Sequence, residues 1–160
     1  MVGRWLLLLA VTAELSASSA VYMMPPKVFS GTPRDNLPKR CAITSPVHAC
    51  TTFERPILTT HCRKEEQWVL DATVQLEPTV ILTRSSFFAH EMEHLRDIDD
   101  RLEAYLRTLV APRFATRDQC LQTAGVAIYS FPATFERVKG ESNLRLDHSR
   151  DPGRKIAAAQ

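Results

Sequence analysis

The tightest constraint on this chain is a change of hydrophobic period at its centre. From Trp68 to Glu77, the apolar residues Trp68, Leu70, Ala72, Val74 and Leu76 alternate with Asp71, Thr73, Gln75 and Glu77. A period of two over that length predicts a strand with one buried face. Pro78 is expected to end it, because proline cannot donate to a sheet ladder. Thr79 to Thr83 reads as a second short strand or an extended connection. Beyond Ser85 and Ser86, either of which can cap a helix, the period lengthens. Phe88, Leu95, Ile98, Leu102, Leu106 and Leu109 recur at spacings of three, four and seven. This predicts one amphipathic helix starting at Phe87, about six or seven turns long, that stops before Pro112.

The flanks are read from their punctuation. Thr116 and Gln119 form a capping box, so a helix is expected through Tyr129 with Cys120, Leu121, Ala124 and Ile128 turned inward. Gly125 weakens it. Pro132 suits the first turn of one more helix, with Gly140 as its stop. Residues 141–160 form a polar tail expected to be irregular. Upstream, Cys41 to Cys62 is rich in β-branched residues and broken at Pro46 and Pro56, which suggests hairpin-like strands. Residues 21–40 carry four prolines and read as a flexible leader or an extended arm.

The first 20 residues have the pattern of a secretory signal peptide: a positive start at Arg4, an apolar run from Trp5 to Val11, and small residues before a cut after Ala20. The apolar run is too short to span a bilayer comfortably, so no stable membrane insertion is expected after cleavage. The expected location is secreted or periplasmic. A cut there removes Arg4 and Glu14, leaving the formal charge at +2. No basic stripe of the kind nucleic acid requires is present. In an oxidising compartment Cys41, Cys50, Cys62 and Cys120 read as two disulfides, and the three possible connectivities stay open. One bridge is expected within the N-terminal region and one from it to Cys120. No CxxC pair favours a metal cluster.

The chemistry-bearing motif is His90-Glu91-Met92-Glu93-His94, an H-E-x-x-H sequence on the predicted helix. Residues four apart share a helix face, so both imidazoles can reach one Zn²⁺. Glu91 is placed to act as general base toward a water activated there. A catalytic zinc site wants a third protein ligand. The longer H-E-x-x-H-x-x-G-x-x-H pattern is not met, because Asp97 stands at the glycine position and Asp100 at the last histidine. Asp97 is expected as a hydrogen-bond acceptor behind His94, as a solvated charge, or as an alternative ligand. The preferred third ligand is His148 in the tail, with Glu136, Glu141 and Asp147 as alternatives and His48 and His61 ranked lower.

On these residues the chain resembles the zincin-type metallopeptidases. More narrowly, it is similar to the bacterial group of predicted secreted zinc-dependent proteases, in which an H-E-x-x-H helix precedes a second helix and a polar tail with Asp and His. The resemblance spans Phe87 to about Arg150, through His90, Glu91, His94 and Asp147-His148; a firm Thr-x-His-Gly pattern is missing. It implies hydrolysis of peptide bonds in a peptide or protein substrate, with Trp68–Glu77 as the strand facing that substrate. His90-Glu91-Met92-Glu93-His94-Leu95 also resembles the metal helix of peptide deformylases, which take an upstream cysteine as ligand. Cys50 stands in such a place, but the expected glycine-rich and E-G-C-L segments are absent.

The expected fold is α+β: a small antiparallel or mixed sheet packed on the long H-E-x-x-H helix, one or two further helices, and two disulfides, with residues 41–140 as the domain. The expected function is that of a secreted zinc-dependent metallopeptidase. The rival is a non-catalytic exported binding protein of the cell envelope, disulfide-stabilised, with or without structural zinc.

Overall fold

The computed structural model describes residues 17–31 and 49–150, the side chains of 147–150 excepted. It is α+β, with a five-stranded sheet and two helices. Strands β1 (Ser19–Met23), β2 (Lys27–Ser30), β3 (Ala49–Lys64) and β4 (Trp68–Leu82) precede helix α1 (Phe88–Val110). The short β5 (Arg113–Phe114) and helix α2 (Arg117–Arg150) follow.

Every other strand pairs with β4. β3 runs antiparallel along its whole length, from Ala49 opposite Leu82 to Lys64 opposite Trp68. Along the other edge lie β5, antiparallel, then β1 and β2, both parallel. The sheet is therefore mixed, not antiparallel. The expected alternation holds, since Leu70, Ala72, Val74 and Leu76 are buried, and it continues through Val80 and Leu82. Pro78 does not end β4. Leu76 and Leu82 accept bonds from Met24 and Gly31, so alternate residues of β4, Pro78 among them, turn their backbone polar groups toward that edge. The missing N–H of Pro78 falls opposite the gap between β1 and β2, where Pro25 and Pro26 interrupt the neighbouring edge. Pro56 does not break β3 either. The register slips between Glu54 and Ile57, and Arg55 adopts a left-handed φ of 41° in the resulting bulge.

The segment expected as a leader contributes strands. Ser19 and Ala20 pair with Ala72 and Thr73, and the Ser18 amide donates to Asp71 Oδ1 at 2.8 Å, so β1 straddles the expected cleavage point. Residues 32–48, including Cys41 and His48, lie outside the described residues.

α1 matches its apolar period: Leu95, Ile98, Leu102 and Leu106 pack on the buried face of β4 and on Phe53 and Leu58 of β3. Neither Ser85 nor Ser86 caps it. A 3-10 turn over Ser85–Phe87 leads into the helix, closed by the Phe87 amide on the Arg84 carbonyl at 3.2 Å.

α2 replaces two expected helices and the first part of the expected tail. Its capping box forms, with Gln119 N bonded to Thr116 Oγ1 at 3.2 Å and Thr116 N to Gln119 Oε1 at 3.3 Å. Proline in a helix interior costs about 3 kcal/mol. The helix nonetheless runs through Pro132, because Ala127, Phe131, Phe135 and Val138 form one buried stripe on both sides of it. Leu121 and Ile128 point outward, contrary to expectation. The Cys62–Cys120 disulfide, Cα–Cα 6.1 Å, turns the fully buried Cys120 toward β3 and sets the rotation of the helix. Cys50 is disulfide-bonded as well. Among the described residues no helix is long and apolar enough to cross a membrane.

Candidate functional site

α1 carries two adjacent stripes. Glu91, Leu95, Ile98 and Leu102 face the sheet, and His90, His94, Asp97 and Arg101 lie beside them. The second stripe meets the late turns of α2: His94 contacts Ser142, Asp97 contacts Arg145, and Arg101 contacts Glu141. The extension of α2 beyond Gly140 is thus what covers the motif. The inward stripe of α2, apolar through Phe135 and Val138, turns polar at Ser142, which is 0 % exposed.

The two histidines stack as their spacing requires. Their ring centroids are 4.6 Å apart at an interplanar angle of 74°, and His94 Nε2 lies 3.2 Å from His90 Nε2. In a tetrahedral zinc site, nitrogens 2.0–2.1 Å from the ion stand about 3.3 Å apart. On the far side of the rings, His94 Nδ1 is 3.3 Å from Ser142 Oγ, the kind of contact a metal-ligating histidine makes with its second nitrogen. His90 Nδ1 is buried and lies 3.7 Å from Glu93 Oε2, beyond hydrogen-bond distance. The pair therefore fits two positions of a zinc site. Among the described residues, no group of three His, Cys, Asp or Glu side chains is arranged to hold a metal ion.

Glu91 is 6 % exposed and accepts a 2.6 Å hydrogen bond from Thr51 Oγ1 on β3. Asp97, also buried, is neither a solvated charge nor a direct partner of His94. Arg101 Nε donates to its Oδ2 at 2.9 Å and Arg145 Nη2 donates to its Oδ1. Burial works against the Asp97 charge, but the guanidinium groups of Arg101 and Arg145 outweigh it and hold the carboxyl below its ordinary range.

The other candidates are dispersed. Glu136 is exposed and paired with Lys139 at 2.6 Å. Glu141 is held by Arg101 at 2.9 Å and Arg137 at 2.8 Å. His61 is exposed on β3, opposite Asp71. Asp147 and His148 belong to the last turns of α2, and their side chains lie outside the described residues. Sequence reasoning missed Thr51, Ser142 and Arg145. Ser142 was within reach: one helical period carried through Pro132 and Gly140 puts it on the stripe of Phe131, Phe135 and Val138.

Both edges of β4 are occupied, by β3 on one side and by β1, β2 and β5 on the other. The strand expected to face a substrate therefore has no edge open for an extended peptide. Comparison of the chain with protein-family models, curated proteins and solved structures finds no match.

Proposed function

We propose that the chain is an exported zinc-dependent hydrolase of peptide bonds. The observation that carries this reading is the convergence of His90 Nε2 and His94 Nε2 at 3.2 Å, beside a buried Glu91 on the same helix. His90 and His94 would hold the ion. Zinc, when bound, supplies a Lewis acid that makes water nucleophilic near neutral pH. Glu91 takes the proton of the attacking water and passes it to the leaving amine. Thr51 orients that carboxylate by donating to Oε2, leaving Oε1 for the proton transfer. An extended peptide would align on β3, which carries Thr51 and pairs, among the described residues, with β4 alone.

Glu91→Gln is the direct test. It keeps the shape of the side chain and removes the base. The variant is expected to bind zinc as the wild type does and to lose peptide hydrolysis by about 10²–10⁴-fold, read on a fluorogenic peptide mixture. Unchanged hydrolysis would remove Glu91 from the chemistry. A binding protein on the same scaffold would keep its function in this variant.

A further inference from the structure

α2 is apolar on more than its inward side. Between Asp118 and Glu136 the helix holds no charged residue. Ala124, Ala127, Phe131 and Phe135 turn one side of this run toward the core. The rest of it still exposes Leu121 at 45 %, Val126 at 63 %, Ile128 at 49 % and Tyr129 at 90 %. A surface helix places charged and polar residues there, whereas a helix apolar all round is a buried one. Contiguous exposed apolar side chains of this kind mark a contact surface.

The same face has relief. Between Tyr105 and Leu109 of α1 and Gln122, Val126 and Ser130 of α2 lies an open cavity of about 410 Å³. An apolar cavity of about 150 Å³ already accepts benzene, so this one has room for a phenol ring. Tyr129 stands beside it, next to Ser130 and one turn beyond Val126. A projecting ring and a hollow that fits it therefore share one face. A flat lipid surface would leave the hollow empty. A second copy turned end for end fills both hollows, each Tyr129 reaching the cavity of the other chain. The charges that bound the run suit this order. Arg117 and Asp118 precede it, and Glu136 and Arg137 follow. Antiparallel copies bring Arg117 toward Glu136 of the second copy and Asp118 toward Arg137 of the second copy. Parallel copies would set like charges together.

We propose that the outer face of α2 from Arg117 to Arg137 is the interface of a two-fold dimer of this chain, with the two α2 helices antiparallel and Tyr129 as its anchor. The face runs about 30 Å along α2 and, with the adjoining side of α1, about 20 Å across. That is enough for the roughly 800 Å² per copy that a stable interface buries. At the usual helix spacing of about 8–10 Å, Gly125 is not needed for close approach, and a methyl group there fits. Ser142 and the histidine pair lie some 20 Å further along α2 than Tyr129, so the contact leaves them uncovered. The proposal is independent of the zinc reading.

The test is sedimentation equilibrium of the purified full chain across micromolar concentrations. The wild type is expected at twice the mass that it shows under denaturing conditions. Tyr129→Glu changes a side chain that the fold leaves exposed, so its circular dichroism is expected to match the wild type. Its dimer is expected to dissociate about 30-fold more readily or to be lost. Arg117→Glu is expected to weaken the dimer by a few-fold and the exchange Arg117→Glu, Glu136→Arg to recover it. A wild type that stays monomeric throughout would overturn the proposal, and its sedimentation with phospholipid vesicles would assign the face to a lipid surface instead. A dimer that Tyr129→Glu leaves unchanged would overturn it as well. An exchange variant no tighter than Arg117→Glu alone would overturn the antiparallel order.

Discussion

Glu91 occupies the first position of the stripe that Leu95, Ile98 and Leu102 continue, so the fold buries a carboxylate at the end of its apolar seam. A buried carboxylate needs a donor, and Thr51 supplies one from 40 residues away. Thr51→Val is expected to lower stability by about 1–3 kcal/mol in urea denaturation. In an active preparation it is expected to reduce kcat more than KM, since it disturbs the base rather than substrate binding. A larger effect on KM would place Thr51 in the binding surface instead. The H-E-x-x-H pair was legible in the sequence because helical spacing of four is a local property. Thr51 was not, and of Ser142 only the inward placement was, because their contacts with α1 span 40 and 48 residues and depend on how β3 and α2 dock.

Elements whose pattern is set by one buried face were read correctly, as β4 and α1 demonstrate. The errors cluster at prolines and at helix rotation. Pro56 and Pro78 were read as breaks and Pro132 as the start of a further helix, and each lies inside an element: at a bulge, opposite an interrupted edge, and outside a continuous apolar stripe respectively. The outward turn of Leu121 and Ile128 follows from the bridge at Cys120, which no periodicity argument contains. Gly125 is a residue of α2 at which the local cost stands alone: a Cβ placed there meets nothing within 4 Å. Gly125→Ala is accordingly expected to stabilise the protein by about 1 kcal/mol, read as a higher urea midpoint with unchanged slope. A lower midpoint would mean that this face of α2 packs against something.

At the scale of the molecule, two carboxylates tie distant parts together. Asp71 joins the N-terminal arm and the β3–β4 hairpin through the Ser18 amide and Arg63, and Asp97 joins α1 to α2 through Arg101 and Arg145. Burial raises both carboxyls, and their donors lower them further than burial raises them, so both stand below the ordinary range in the folded chain. A depressed folded value stabilises the fold above the unfolded value, near pH 4, and that contribution disappears as pH falls through the folded one. Stability against urea is therefore expected to be level above about pH 5 and to fall on acidification below about pH 4. A profile flat to pH 2 would contradict these roles. The same α1–α2 contact covers the histidine pair, to which the proposed function assigns zinc. The most direct measurement is the zinc content of the purified chain after exposure to excess zinc and removal of the unbound ion. The account predicts one equivalent in the wild type and none in a His90→Ala, His94→Ala double variant that still folds. A folded wild type that retains no zinc, or a double variant that retains as much, would contradict it.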